Sequence, residues 1–530
     1  MTTAFVCNSS RWLKALGLSA AFLVSSWLLP TAEASQLEPR PNVLFIAIDD
    51  LNDWVGCLGG RAGMKTPNLD RLAARGVLFT NAHCSAPACN PSRASLMTGI
   101  RPSTSGVYVN NQNWRRSPVL RDALTIPQYF RKQGYHSVGG GKIFHAGSWV
   151  LEYGRDGFND AASWDLYFPS NKRAMPEEIR PEGWPVNGLL NLAAKQGFGN
   201  LFAWSTLEEL QQKITEWKIV DWSPLKQPEE NMADWRVVDW AVAELQKKHD
   251  RPVFQAVGIY RPHVPWYVPQ KYFDLYLLDN LDLPPVKYND LDDTSTVGQG
   301  FVERKWHRWV VRNNQWKNAV QGYLASVSFA DAMVGRLLEG LDRSPNARNT
   351  IIMLWSDNGA HLGEKEHWEK FTLWEESTRV PLMIVAPGIT RPGGRCDRPV
   401  SLLDIYPTLL ELCGLKPKPE LEGHSLVPLL RNPQTPSERA VVTTWHPNNH
   451  AVRSEHWRYI RYYDGSEELY DHRIDPDEHT NLTGDGRYKS IKRELATWLP
   501  KVNAALTPQI ESELSILQEI DQEVSPRIQP

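Results

Sequence analysis

The chain has 530 residues, 42% hydrophobic and 22% charged, which is enough for a large core and two domains. Its 58 Lys and Arg against 61 Asp and Glu leave a formal net charge of −3, which excludes a broad basic face of the kind that binds nucleic acid. The 38 Pro and 35 Gly fit many loops rather than disorder, and most of the 22 Trp are expected in the core, although their faces also suit sugar rings.

Residues 1–34 read as a signal peptide. Arg11 and Lys14 precede an apolar stretch from Ala15 to Leu29, Pro30 breaks it, and Ala32-Glu33-Ala34 is an A-x-A cleavage pattern before Ser35. The stretch is short for a membrane span, and no later segment reaches that length without charges. The mature protein is therefore expected to be exported, periplasmic or secreted (lysosomal in a eukaryote), with no membrane anchor. Cys7 leaves with the leader. Cys57, Cys84, Cys89, Cys396 and Cys413 remain, and export favours disulfides among them without fixing a pairing. With no CxxC and no paired His spacing, a zinc site is not expected.

Four short apolar runs end abruptly in polar residues: 42–48 before Asp49-Asp50, 253–259 before Tyr260-Arg261-Pro262-His263, 350–355 before Ser356-Asp357-Asn358-Gly359, and 381–386 before Pro387-Gly388. They predict buried strands of a mostly parallel sheet. Helical patterns at 66–75, 126–132 and 320–341 lie between them, giving a layered α/β domain over residues 35–432. Residues 145–235 show no clear strand period and read as insertions lining a site, and Gly139-Gly140-Gly141-Lys142 reads as a loop without P-loop spacing. A linker at 431–436 leads to a smaller C-terminal domain, 437–530. Its short strands and Tyr463-Asp464-Gly465 turn predict an antiparallel sheet, followed by a helix over 490–502.

In open α/β sheets, ligands bind beyond the carboxyl ends of the strands. Asp49, Asp50, Asp357 and Asn358 all follow such ends and offer only oxygens, the donor set of Ca2+ or Mg2+. Either pair alone would equally cap a turn; two pairs at equivalent ends point to a metal. Arg93, Lys142, His145, His263 and Lys370 add basic groups in punctuated loops. A metal with several converging cations suits a tetrahedral oxyanion ester. Cys89 opens a helix whose first turn holds Pro91, a place that favours an anionic reacting group and would activate a thiolate.

Cys89-Asn90-Pro91-Ser92-Arg93 matches the C-x-P-S-R signature of the type I sulfatases, in the alkaline phosphatase superfamily, and the other motifs occur in that family's order. The resemblance covers nearly the whole mature chain. Gly141-Lys-Ile-Phe-His145, the run 258–265 and the run 283–288 resemble the iduronate-2-sulfatases most. Ile100 departs from the signature's extension, which usually ends in Arg; Arg101 follows it.

The resemblance implies that a maturation enzyme oxidises Cys89 to formylglycine, so the thiol is a precursor and not the nucleophile. It implies a hydrated aldehyde: one hydroxyl attacks sulfur, and the other discharges the sulfo-enzyme. It implies one Ca2+ held by Asp49, Asp50, Asp357, Asn358 and the residue at 89. Arg93 and Lys142 would stabilise the diol, His145 would deprotonate it, and His263 and Lys370 would hold sulfate and protonate the leaving oxygen. The expected substrate is a sulfated oligo- or polysaccharide, with a 2-O-sulfated uronic acid foremost, and Trp266, Arg101 and His446 are candidate sugar contacts. A phosphodiester or phosphonate ester hydrolase of the same superfamily, and a non-catalytic glycan-binding relative, are the alternatives.

Overall fold

Strand β1 (Asn42–Ile48) is buried on both faces, because its alternate residues feed two cores. Leu44, Ile46 and Ile48 pack on one side of the sheet; Val43, Phe45 and Ala47 pack on the other. The structure, a computed structural model, describes residues 40–60, 63–145, 159–170, 173–179, 181, 186–187, 221–302 and 304–507. The expected leader lies outside them, as does most of the expected insertion region.

Around β1 stand β2 (Val77–Phe79), β3 (His136–Gly141), β4 (Leu166–Phe168), β5 (Val253–Ile259), β6 (Thr350–Ser356), β7 (Leu382–Val385) and β8 (Gly394–Cys396). They form one eight-stranded sheet in the order β8-β2-β7-β6-β1-β5-β3-β4. All pairings are parallel except those of β7, which runs against both β6 and β2. The apolar run at 381–386 thus marked a buried strand but not its direction, since burial on both faces looks the same either way.

Gly139, Gly140 and Gly141 lie in β3 and not in a loop. A Cβ on Gly139 would come within 2.7 Å of the Tyr167 ring, and one on Gly140 within 2.7 Å of Trp240. The glycines let aromatic rings lie directly on the strand, a use of glycine that periodicity does not reveal.

Helices α1 (Pro67–Arg75), α2 (Cys89–Thr98), α3 (Ile126–Lys132), α4 (Ala233–Leu245) and α6 (Trp316–Asp342) cover the sheet, and α5 (Arg304–Arg312) leads into α6. Helix α1 receives an N-terminal partner from α6: Asp331 Oδ1 accepts from the backbone N–H of Leu69 at 2.7 Å and of Asn68 at 3.0 Å.

Strands β9 (Val441–Thr444), β10 (His450–Arg453), β11 (Trp457–Arg461) and β12 (Glu467–Asp471) form the expected antiparallel sheet, followed by α7 (Lys489–Ala496). The described residues from Arg40 onward form a single compact unit, so the linker marks a change of sheet within it. The small sheet docks on the segment before Cys89. Thr444 N donates to Ser85 O at 2.9 Å, and Thr443 Oγ1 to Cys84 O at 2.6 Å. All five described cysteines are free thiols, so the expectation of disulfides is not met. No described helix is long and apolar enough to cross a membrane.

Candidate active site

Register places the site. Ile48 lies level with Ile259 of β5 and with Ser356 of β6, while Gly141 of β3 lies level with Gly258. The next residues along, Asp49, Tyr260, Asp357 and Lys142, therefore emerge together at the carboxyl end of the sheet.

Cys89 is the first residue of α2 and is fully buried there. Its sulfur lies 3.7 Å from Asp49 Oδ1, 3.9 Å from Asp50 Oδ1, 3.0 Å from Lys370 Nζ and 3.8 Å from Lys142 Nζ. One ligand atom from each of Asp49, Asp50, Cys89 and Asp357 lies within 4.8 Å of all the others. Asn358 Nδ2 donates to Asp50 Oδ1 at 2.8 Å, while its buried Oδ1 has no hydrogen-bond partner. Asp50 adopts φ 57°, a left-handed conformation uncommon for Asp, and its N–H donates to Asp357 Oδ1 at 3.1 Å.

The cations neutralise these acids one by one. Lys142 Nζ lies 2.5 Å from Asp49 Oδ2, and Lys370 Nζ pairs with Asp50 Oδ1. His263 Nε2 is 3.6 Å from Asp50 Oδ2, and its Nδ1 is 2.7 Å from Val264 O. Arg93 ties three strands together. It donates to Asp357 Oδ2 at 2.7 Å, to Asp49 Oδ1 at 2.9 Å, and to the carbonyls of Lys142 and Ile143 at 2.6 and 2.9 Å. Burial would raise the Asp49 and Asp50 carboxyls, but the surrounding lysines and His263 hold both below the usual carboxylate range.

Burial wins at two groups. It pulls His263 down to about 4 against the opposing pull of Asp50. It also pushes the Cys89 thiol well above its usual value, although Lys142 and Lys370 oppose it. The direction runs against the thiolate activation expected at this helix start, because desolvation outweighs the two lysines.

The other expected residues lie at different depths. His145 is half-buried, three residues beyond Lys142. Trp266 is 2% exposed in the core, its Nε1 donating to Pro262 O at 2.8 Å, so it packs and offers no open face to a sugar. Arg101 is tied to Glu422, Nε to Oε2 3.4 Å, with its side chain 30% exposed. His446 is half-buried between Trp445 and Phe301, with ring centroids 4.4 and 6.0 Å away.

A family model described as Sulfatase matches residues 41–415, and one described as N-sulphoglucosamine sulphohydrolase, C-terminal, matches residues 363–505. The chain belongs to the sulfatase family. A sulfatase of Formosa agariphila is 40% identical over 472 residues, covering 88% of this chain and 87% of that one. The iduronate 2-sulfatase of Mus musculus is 30% identical over 449 residues, covering 76% and 74%. A solved 2-O GAG sulfatase superposes with a TM-score of 0.61 at 22% identity, covering 86% of this chain and 90% of that one. The sulfatase is a sulfuric ester hydrolase with the α/β architecture and large, mostly parallel sheet expected from its apolar runs.

Two tyrosines of the sulfatase site escaped sequence reasoning. Tyr260, buried, has Lys142 Nζ 5.1 Å from its ring centroid and the His263 ring 4.8 Å away, so its ring packs beside two of the basic groups. Tyr323, on α6, donates to Asp50 O at 3.0 Å and accepts from Asn52 N at 2.9 Å, which pins the left-handed turn. Tyrosine carries no motif of its own here; strand register places Tyr260, and the packing of α6 places Tyr323.

Gly258 leaves no room for a side chain beside Lys142. A Cβ there would lie 2.3 Å from the backbone C and O of Lys142. Gly258→Ala is expected to displace Lys142, lowering stability by about 1–3 kcal/mol and turnover far more than KM. Thermal denaturation alongside steady-state kinetics checks this.

Proposed function

We propose that this sulfatase releases sulfate from a sulfated carbohydrate, foremost a 2-O-sulfated uronic acid unit, at a formylglycine made from Cys89 beside one Ca2+. The observation that carries the proposal is the closure of Asp49, Asp50, Asp357 and Asn358 around Cys89 in a buried cluster flanked by Lys142, His263 and Lys370.

The residues fit a hard cation. The donors are all oxygens apart from the group at 89, and the orphaned Asn358 Oδ1 is a buried acceptor in want of a partner. Asp49, Asp50, Asp357 and Asn358 would hold the ion. Together, the metal and the matured residue would supply a nucleophile and charge neutralisation. Lys142, His263 and Lys370 line the approach to position 89, so a tetrahedral sulfate there meets a cluster of N–H donors. Lys370, the nearest cation to Cys89, would hold the proton for the leaving oxygen. Arg93 fixes Asp49, Asp357 and the Lys142 backbone in mutual register. His145 is proposed as the base that returns the matured residue to its resting form.

The substrate reading is supported by the likeness to iduronate 2-sulfatase and by the motifs at 141–145, 258–265 and 283–288. Export to a compartment that holds such glycans accords with the expected leader. A panel of matched 2-O-sulfated uronate oligosaccharides, 6-O-sulfated hexosamines, sulfated galactans and an aryl phosphodiester tests it. Sulfate release confined to the uronate is expected; release from another glycan alone would remove the substrate assignment, and preference for the phosphodiester would remove the sulfate chemistry.

Chelation gives a second test. EGTA treatment is expected to abolish turnover and lower the thermal midpoint, with Ca2+ restoring both. Asn358→Ala is expected to weaken Ca2+ binding by roughly 10–100-fold in calorimetry. Unchanged binding would remove Asn358 from the ligand set.

A further inference from the structure

A short, strongly basic helix packs beside the turn at Glu364–Glu366. Between Arg304 and Ala330 the sequence contains Arg304, Lys305, Arg308, Arg312, Lys317 and no acidic residue, in a chain whose net charge is −3. Arg304, Arg308 and Arg312 recur every four residues along α5, the spacing that brings side chains onto one helix face about 6 Å apart. Arg308 and Arg312 are exposed, while Trp306 and Val310 are buried and anchor the opposite face.

The helix is connected to the catalytic centre by two routes. Arg304 pairs with Glu366 at 3.5 Å, four residues before Lys370. Phe301, three residues before Arg304, begins a row of rings: Phe301 to His446, 6.0 Å; His446 to Trp445, 4.4 Å; Trp445 to Phe371, 5.2 Å. Phe371 adjoins Lys370, whose Nζ lies 3.0 Å from Cys89 Sγ. His446 and Phe371 both hold positive φ, 57° and 80°, conformations that persist only where the surroundings enforce them.

We propose that the exposed face of α5 is an extended binding surface for the further sulfated units of a polyanionic polysaccharide, with the half-buried rings of Phe301, His446 and Phe371 as the path to position 89. This rests on the reading of the site as a sulfated-glycan sulfatase and adds that the working substrate is a chain longer than a disaccharide. An isolated basic helix is usually only a solvated face. Here the charge is unopposed along its own element, the helix is held by tryptophan, and the ring row joins it to the reacting centre. Sulfate groups repeated along a glycan match guanidinium groups repeated along a helix, and guanidinium binds such oxyanions in a bidentate manner.

The test uses heparin oligosaccharides, which carry 2-O-sulfated uronate, as di-, hexa- and dodecasaccharides with the matured enzyme, in wild type and in the double variant Arg308→Gln/Arg312→Gln. Both positions are exposed, so folding should be retained; the thermal midpoint checks it. The wild type is expected to show a KM that falls with chain length and rises with salt. In the double variant KM for the dodecasaccharide should rise about three- to tenfold and lose salt sensitivity, with aryl sulfate turnover unchanged. Direct binding of the dodecasaccharide to Cys89→Ala protein should weaken by the same factor. Equal dodecasaccharide affinity in wild type and double variant would overturn the surface, even if the disaccharide is desulfated. If no heparin fragment is desulfated but binding still depends on Arg308 and Arg312, the uronate assignment fails and the surface stands.

Discussion

Replacing Cys89 with Ala is expected to abolish sulfate release, by roughly 10⁴–10⁶-fold, the scale on which loss of a nucleophile costs an enzyme. The fold should survive. Cys89 contributes a small buried side chain at the start of α2, and Arg93, Asp49, Asp357 and Lys142 remain mutually paired without it. Cys89→Ser is the sharper comparison, because serine supplies a hydroxyl at the same place. If the reaction needs an aldehyde hydrate, whose second hydroxyl can expel sulfate, the Ser variant should be trapped after one turnover at most. Steady turnover by Cys89→Ser near the wild-type rate would show that an ordinary nucleophile suffices.

The second large effect is on stability. Glu375 and Glu478 are buried where the small sheet meets the main one, and Arg458, itself fully buried, bridges them. It pairs with Glu375, lies 2.5 Å from Glu478 Oε1, and donates to Leu373 O at 3.0 Å and Thr378 Oγ1 at 2.9 Å. Arg453 and His472 complete the cluster, 3.1 Å from Glu375 and 2.9 Å from Glu478. Removing one partner of a buried ion pair leaves an uncompensated charge, so Arg458→Met is expected to cost about 3–5 kcal/mol.

The pH dependence of that loss has a definite sign. Burial would raise the Glu375 carboxyl, but Arg453, His472 and Arg458 hold it well below its usual 4.5; Arg458 and His472 likewise outweigh burial at Glu478. Depressed carboxyls stabilise above their unfolded value and lose that contribution as pH falls through the folded value. The gap in thermal midpoint between wild type and Arg458→Met should therefore be full near neutrality and close progressively below pH 4.5. A gap independent of pH down to complete acid unfolding would place the loss in packing alone.

Much of the site was legible because it lies where apolar runs stop. Asp49, Asp50, Asp357, Asn358 and His263 each follow a strand that periodicity could find, whereas Lys142 follows β3, whose glycines read as a loop; β-register then brings them level. What was not legible depends on proximity across the sheet. Gly258 matters because Lys142 passes 2.3 Å from where its Cβ would be, and Tyr260 because it lies between Lys142 and His263. Trp266 read as a sugar platform because composition cannot distinguish a buried indole from an open one. The thiols of Cys57, Cys84, Cys396 and Cys413 stay apart although export favours pairing, since four cysteines specify no geometry by themselves. The antiparallel direction of β7 was hidden because a strand buried on both faces looks the same either way.

The central claim is that Cys89 is chemically matured and that the matured residue carries the reaction. It is tested most directly by preparing the protein with graded amounts of maturation enzyme. For each preparation, the fraction of aldehyde at position 89 is measured by mass spectrometry of the peptide and plotted against turnover number on a 2-O-sulfated uronate disaccharide. A straight line through the origin is expected, with Ca2+ held saturating. Turnover that persists in preparations whose Cys89 is wholly unmodified would contradict the account.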